Sequence, residues 1–212
     1  MRLTVFGATG GVGQEVVGQA LAAGHEVTVV VRDPARLPEA FDTLALHGAA
    51  VPLDDPAAVR AAVAGRDAVL SGLGSRSRKA DGVAERLTGR IVDAMEAEGV
   101  RRLLVVSATP VGPVPAGEPL VDRLARKAIG AVLADLYADL ARMEAALERG
   151  ATDWTSVRPP KLTDGPRTGV YRKVVGGAPV SSRSISRADV AHAMLGMIDD
   201  PAAVRQGVGI AY

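Results

Sequence analysis

The sequence contains no cysteine, and its 212 residues include only three histidines. The lack of cysteine excludes disulfide bonds and thiolate metal sites. The histidines, His25, His47 and His192, lie far apart and show no spacing that is typical of metal ligands. We therefore expect a protein without a metal site.

The chain also lacks an excess of either charge and any long apolar run. Lysine and arginine total 25 against 24 aspartate and glutamate residues, which gives a net charge of +1. A nucleic-acid-binding surface would need a basic excess, so nucleic acid is not an expected partner. No apolar run reaches the length of a membrane span, and the N-terminus shows no signal-type segment. We expect a cytoplasmic protein with a small-molecule partner and no membrane partner, either a monomer or a homodimer.

What the sequence does contain is a normal globular composition, with 48% hydrophobic and 23% charged residues. Strand-like and helix-like segments alternate along the chain, which predicts a doubly wound, mostly parallel α/β sheet of the Rossmann type. We expect one domain over 1–212 with a small C-terminal elaboration on the substrate side. The segment 111–119 holds three prolines and two glycines, and we expect it and 161–185 to be substrate-side loops.

Residues 3–13 combine a run of β-forming residues with a glycine turn, and an alanine-rich helical segment follows. This is the context in which a dinucleotide-binding motif has meaning, although a plain turn between two packed elements is the alternative. The first glycine permits a tight turn, the second lets backbone approach the pyrophosphate, and the third allows close helix packing. The free N–H groups at the helix start then face the phosphates. The predicted phosphate-binding residues are Gly7, Thr9, Gly10, Gly11, Val12 and Gly13.

A second signal follows the predicted strand 26–31, which ends in Arg32, with Arg36 four residues later. A free ribose 2′-hydroxyl is usually bound by an acidic residue about 20 residues after the glycines. Two guanidinium groups suit a 2′-phosphate better, because they form charge-assisted hydrogen bonds with it. Asp33 can still serve a 2′-hydroxyl, and a solvated arginine pair is another interpretation. We predict NADP(H) as the cofactor, with NAD(H) as the less favoured alternative.

Two acidic residues follow the weak third strand predicted at 49–53. Asp54 lies at a strand's carboxyl end, where it can accept a hydrogen bond from the adenine amino group. Asp55 precedes Pro56, and a helix N-cap is the favoured role for it. We place both residues among the candidate cofactor contacts.

A second glycine-rich loop follows the predicted strand 67–71. Its position at the carboxyl edge of the sheet predicts backbone contact with the cofactor's ribose or pyrophosphate, although an ordinary loop is the alternative. Leu73, Gly74 and Arg76 are the candidate contacts, and Arg76 can pair with a phosphate.

Four ranges together resemble the atypical short-chain dehydrogenase/reductases that have an NAD(P)-binding domain, which include the NmrA-like proteins: 7–13, 30–33, 154–160 and 184–191. Residues 159–171 look closest to the flavin reductase/biliverdin-IXβ reductase branch. This resemblance implies NADPH bound in the crevice of a Rossmann fold. It also implies hydride transfer to a flat conjugated acceptor, such as a flavin, a tetrapyrrole or a quinone.

The sequence departs from that pattern at the catalytic positions. Most members of the superfamily use a Tyr-x-x-x-Lys pair as proton donor. Tyr137 is followed four residues later by Ala141, and Tyr171 by Val175, so the pair is absent. The active-site serine of the branch aligns with Ala108.

Candidate catalytic residues remain on either side of that position and in the pocket. Ser107 and Thr109 can place a hydroxyl near the nicotinamide, or both can be bonded to backbone. Two pocket histidines of the branch align with Glu144 and Lys161, for which we predict an ion pair at the pocket edge and general acid catalysis. A solvated Glu144 is the alternative. Ser107 and Pro159 complete the predicted cofactor contacts.

Two other functions are compatible with these motifs. A non-catalytic NAD(P)-sensing regulator of the NmrA type would also lack Tyr-x-x-x-Lys, and a nucleotide-dependent isomerase is a further option. Isomerases usually keep the Tyr/Lys pair and have a longer substrate domain. A regulator needs a protein-binding surface, and the sequence shows no contiguous exposed apolar stripe. We therefore expect a reductase.

Overall fold

A computed structural model describes residues 1–31, 46–50, 54–74 and 82–212. Arg32, Arg36 and Arg76 lie outside these ranges, so the predictions made for them stay predictions. Strands in the described ranges are β1 (Arg2–Phe6), β2 (Glu26–Val31), β3 (Leu46–Ala50), β4 (Ala68–Ser71), β5 (Arg102–Val106), β6 (Asp153–Arg158), β7 (Lys161–Thr163), β8 (Arg172–Val175), β9 (Ser184–Ser186) and β10 (Gln206–Ala211). Helices are α1 (Gly11–Ala22), α2 (Pro56–Val63), α3 (Val83–Ala97), α4 (Leu120–Val132), α5 (Ala134–Arg149) and α6 (Arg187–Gly196).

Eight of the described strands form one sheet in the order β3-β2-β1-β4-β5-β6-β10-β8. All neighbouring pairs are parallel except β10 and β8, which are antiparallel at one edge. The strand order reverses on either side of β1, which is the point where doubly wound sheets bind ligands beyond the carboxyl ends of their strands. The sheet confirms the predicted Rossmann fold.

The C-terminal elaboration lies outside this sheet. Strands β7 and β9 pair in parallel as a separate two-stranded sheet, in which Lys161 is opposite Ser184. Because β7 directly follows β6, this small sheet continues the chain past the carboxyl edge of the main sheet. The predicted elaboration thus lies on the ligand side of the fold.

The main sheet is buried on both faces. Leu3 and Val5 pack with α1 and α6 on one face, whereas Phe6 packs with α2, α3 and α5 on the other. Burial on both faces explains why strands such as β2, with five consecutive buried residues, are nearly continuous apolar runs.

The predicted third strand, 49–53, overlaps the described strand β3 at residues 49 and 50, and residues 51–53 lie outside the described ranges. Strand β3 begins earlier than predicted, because its pairing with β2 already starts at Leu46 opposite Val27. Alanine and glycine gave no periodicity from which to predict that start. The sequence also predicts two helical segments, roughly 120–134 and 136–149, and both are confirmed as α4 and α5.

Candidate functional site

The glycine turn at the end of β1 leaves no room for side chains. Gly7 has a φ of +75°, and a Cβ added there would lie 2.9 Å from the carbonyl carbon of Gly72. A Cβ at Gly13 would lie 2.2 Å from the carbonyl oxygen of Gly7. The N–H of Gly10 donates to that same oxygen at 2.9 Å. The backbones at the ends of β1 and β4 and at the start of α1 therefore contact one another directly, without side chains between them.

Helix α1 begins directly after this turn. Its N-cap residue, Gly10, has no side chain that could accept a hydrogen bond from the first turn. The first N–H groups of a helix have no intrahelical acceptor, and the helix dipole adds positive potential there. The start of α1 therefore presents hydrogen-bond donors suited to a phosphate.

A cavity of about 1140 Å³ opens at this edge of the sheet. It extends from the glycine turn, past the ends of β4, β5 and β6, to helices α4 and α5. The structure brings most of the predicted site residues to its wall. These are Gly7, Thr9, Gly10, Gly11, Val12, Leu73, Gly74, Ser107, Thr109, Pro159 and Lys161.

Three predicted cofactor contacts lie elsewhere among the described residues. Gly13 packs beneath the turn rather than on the cavity wall. The Asp54 carboxylate pairs with Arg90. Asp55 accepts hydrogen bonds from the N–H groups of Ala57 at 3.0 Å and Ala58 at 3.3 Å, which confirms the capping role favoured for it.

The predicted ion pair between Lys161 and Glu144 is wrong. Glu144 is 3% exposed and accepts hydrogen bonds from the Ser156 hydroxyl at 2.6 Å and from Nε of Arg158 at 3.1 Å. It lies on the face of α5 that packs against β6, so it contacts side chains within that strand and not Lys161 beyond its end. A buried charge needs such partners, and Glu144 accordingly stabilises the α5–β6 contact and does not line the cavity.

The two candidate hydroxyl groups after β5 have different environments. Thr109 donates from Oγ1 to the carbonyl oxygen of Arg158 at 3.0 Å, so its hydroxyl is bonded to backbone. Ser107 is 6% exposed, lines the cavity, and its Oγ has no hydrogen-bond partner in the described part of the chain. Buried hydroxyls without partners are rare in folded proteins. The buried Ser107 hydroxyl therefore has unused hydrogen-bonding capacity beside the cavity.

Among the cavity-lining residues that sequence reasoning did not select, Tyr137 and Arg187 bear most directly on the chemistry of the site. Tyr137 reaches the wall from α5, and burial raises the pKa of its phenol. Arg187, the first residue of α6, covers Gly11 so closely that a Cβ there would lie 2.5 Å from its Cδ. Tyr137 had been considered only as half of a Tyr-x-x-x-Lys pair. The contact of Arg187 depends on the packing of α6 beside α1, which no local motif reveals.

Helix α4 forms the outer wall of the cavity and has no buried residue. Val121, Ala125 and Ile129 line the cavity, and Val121 is 74% exposed. Leu120 and Leu124 are exposed outside the cavity lining. The expectation that the chain has no exposed apolar stripe is therefore wrong. In the sequence, these helically spaced residues have the same pattern as a buried face.

The described ranges lack both a metal-binding cluster and a membrane-spanning helix. They contain no group of three or more histidine, aspartate or glutamate side chains placed to hold a metal ion. None of the helices in those ranges is both long enough and apolar enough to cross a membrane.

Comparison with known proteins agrees with this geometry. A curated relative, the 3-diazoavenalumate denitrifying reductase of a Streptomyces species, is 36% identical over 133 residues, or 58% of the chain. That match spans 42% of the relative's own length.

Among solved structures, a candidate exported protein of Burkholderia pseudomallei is 28% identical, with full coverage of both chains and a TM-score of 0.81. A short-chain dehydrogenase/reductase of Veillonella parvula, solved in complex with NADP, has a TM-score of 0.83 at 19% identity. It covers 100% of this chain and 94% of its own, and at this identity it supports the fold alone. The family model described as NAD(P)H-binding matches residues 7–201. The chain therefore belongs to the NAD(P)H-binding family, as its resemblance to the atypical short-chain dehydrogenase/reductases implied.

Proposed function

We propose that this protein is an NADPH-dependent reductase that transfers hydride to a conjugated acceptor. The observation that carries the proposal is one continuous cavity with two different ends. At one end lies the bare backbone of the glycine turn and the start of α1, and at the other lies an apolar wall from α4 and α5. The buried Ser107 hydroxyl, after β5, belongs to a residue that lines the same cavity, and it has no partner in the described residues.

The residues present fit a dinucleotide. The N–H groups at the start of α1 would bind the pyrophosphate, and Gly7 and Gly72 leave the backbone free to approach it. When bound, NADPH supplies the hydride, so the protein needs to bind, orient and exclude water. Ser107 would donate a hydrogen bond to the acceptor or to the carboxamide beside it. The phenol of Tyr137, which lines the cavity from α5, would be the proton source on that side.

NADPH is proposed over NADH on two grounds. Arg32 and Arg36 follow β2, the strand beside which the adenosine ribose lies in doubly wound folds. The Veillonella protein, which shares the fold, was solved with NADP. Both points favour a cofactor with a 2′-phosphate. The reductase activity in the name of the Streptomyces relative favours a reductive reaction.

We also propose that 1–212 is one NAD(P)-binding domain whose segments 111–119 and 161–185 form its substrate side. Both segments supply residues to the cavity lining beyond the glycine turn. The first segment supplies Pro115 and Glu118, and the second supplies Lys161, Leu162, Pro179, Ser182 and Arg183.

The test is NADPH oxidation, followed through the absorbance of the reduced nicotinamide, against free flavin, quinones and a linear tetrapyrrole. Calorimetric titration with NADPH and NADH runs beside it. We expect tight NADPH binding and turnover with at least one acceptor. NADPH binding without turnover on the whole panel would contradict the reductase.

A non-catalytic NAD(P)-sensing regulator is the second candidate, because α4 exposes Leu120 and Leu124 outside the cavity. Exposed apolar patches commonly mark contacts with another protein. The double substitution Leu120→Gln with Leu124→Gln separates the two functions. A reductase should keep its turnover, whereas a regulator should lose its partner while NADPH affinity stays unchanged.

A further inference from the structure

The substrate end of the cavity is an apolar chamber that the chain itself leaves open. Its wall consists of Val121 and Ile129 on α4 with Leu136 and Leu140 on α5. Ile129 is 52% exposed although it lines the cavity. Apolar surface of this kind gains stability when a ligand removes it from water. The chamber therefore suits an apolar, ring-shaped body.

The charges around this chamber are unevenly paired. Among the described residues that line the cavity, Arg126 pairs with Glu118. Asp122 accepts a hydrogen bond from the Ser181 hydroxyl at 2.8 Å and lies 3.7 Å from Arg183. These contacts account for both carboxylates in the described lining.

Two other cationic side chains in the described lining are those of Arg187 and Lys161, and only Arg187 has a carboxylate partner. Arg187 forms an ion pair with Asp164. No ion pair or hydrogen bond joins the Lys161 ammonium to any residue in the described ranges. Lys161 is exposed on the cavity wall at the start of β7. The described lining thus has one uncompensated positive charge.

The strand that leads to Lys161 ends away from the place where the cofactor's phosphates would bind. This strand, β6, is separated from β1 and the glycine turn by β4 and β5, and three strand spacings amount to about 14 Å. Thr109, two residues past Ser107, donates its N–H to the carbonyl oxygen of Pro159 at 2.9 Å. Lys161 is therefore next to the substrate end of the site.

We infer that the acceptor is an aromatic or conjugated acid whose carboxylate pairs with Lys161 while its ring lies in the chamber under α4. This inference rests on the proposed reductase, and it gives Lys161 the role of a specificity-determining residue in place of the general acid suggested by sequence. A neutral ring would fill the chamber but leave the lysine unpaired. An aromatic acid would cover the apolar wall with its ring and pair with the lysine through its carboxylate.

The test uses binding, so that it does not depend on turnover. Protein loaded with NADP⁺ is titrated with 2-naphthoate and with 2-naphthamide, which share a ring and differ in charge. We expect the wild-type protein to bind the acid about fivefold more tightly than the amide, the size expected for a partly solvated ion pair. Lys161→Met should reduce this ratio to about one and leave amide binding unchanged.

Lys127→Met is the matched control, because Lys127 is exposed on α4 and does not line the cavity. It should keep the wild-type ratio. A Lys161→Met protein that still prefers the acid, or a wild-type protein that does not, would overturn the inference. So would a loss of NADPH affinity in Lys161→Met, since Lys161 would then serve the cofactor. If no acceptor is reduced but the acid preference depends on Lys161, the reductase fails and the carboxylate site stands.

Discussion

Ser107 and Thr109 lie two residues apart after β5, yet only the Thr109 hydroxyl has a hydrogen-bond partner in the described part of the chain. Sequence reasoning treated them alike, because both are small hydroxyl residues after a strand. They differ because the neighbouring strand β6 provides the Arg158 carbonyl oxygen, which accepts a hydrogen bond from the Thr109 hydroxyl. The partner of a side chain across a sheet depends on strand order, and local sequence does not specify that order.

This difference predicts opposite effects of removing each hydroxyl. Ser107→Ala should leave the melting temperature unchanged but lower kcat about tenfold, because its hydroxyl has no hydrogen-bond partner among the described residues and we propose that it bonds the ligand. Thr109→Val should lower the free energy of unfolding by about 1 kcal/mol through its lost hydrogen bond. Thermal melts and steady-state kinetics on both variants check this. Equal kinetic losses in the two would contradict the assignment of Ser107 to the ligand.

Cofactor choice is also decided by individual residues. Arg32→Ala combined with Arg36→Ala should weaken NADPH binding by about 100-fold and leave NADH binding nearly unchanged, because only NADPH carries the 2′-phosphate. Calorimetric titration with both cofactors measures the two affinities. Equal losses for NADPH and NADH would contradict the 2′-phosphate assignment and leave Asp33 as the ribose contact.

At the scale of elements, the strand–turn–helix unit from β1 to α1 was predictable because glycine's properties are local. Its packing yields a sharp prediction. Gly13→Ala would place a Cβ 2.2 Å from the Gly7 carbonyl oxygen, so α1 would have to move away from the turn. We expect a loss of at least 2 kcal/mol in the free energy of unfolding, together with loss of NADPH binding, measured by denaturant unfolding and calorimetry.

Gly89→Ala is the control for this substitution. Gly89 lies inside α3, and a Cβ there would meet no atom within 4 Å. Alanine is the better helix former, so this variant should gain about 0.5–1 kcal/mol. If Gly13→Ala behaved like Gly89→Ala, the close contact between α1 and the turn would not constrain the site.

For helix α4, the sequence predicted the bounds of the helix but not the exposure of its apolar side chains. Its bounds followed from helical periodicity, and the structure confirms them closely. Its exposure did not follow, because an apolar stripe has the same spacing whether it faces a core or an open cavity. Likewise, the helical position of Glu144 was predictable, but its partner Arg158 is set by how α5 packs on β6.

At the scale of the whole molecule, one buried carboxylate joins three distant parts of the chain. Asp189 on α6 is 0% exposed. It accepts hydrogen bonds from the N–H groups of Thr168 at 2.9 Å and Gly169 at 2.8 Å. The Tyr212 hydroxyl donates to it at 2.6 Å. The sequence predicts a helix from Arg187 to Ile198 with Ser186 as its N-cap, but it does not predict this connection, because the members are far apart in sequence.

These contacts make the stability of the fold depend on pH. Burial alone would raise the pKa of Asp189, but the hydrogen bonds from Tyr212, Gly169 and Thr168 outweigh it and lower the pKa to about 2. A depressed carboxylate pKa contributes stability that is complete above the unfolded value near 3.8. That stability is lost as the pH falls through the folded value. From the size of the shift we expect a contribution of about 2 kcal/mol at neutral pH.

Asp189→Asn should therefore unfold more easily than the wild-type protein at pH 7, and the difference should shrink between about pH 4 and pH 2. Tyr212→Phe removes one donor and leaves the charge, so its loss should be smaller and have the same pH dependence in sign. Denaturant unfolding of the three proteins across this range measures both effects. A difference between wild type and Asp189→Asn that stays constant down to pH 2 would show that shape, and not ionisation, makes Asp189 important. The ionised carboxylate is what a neutral amide cannot replace, since all of its contacts named here come from donors.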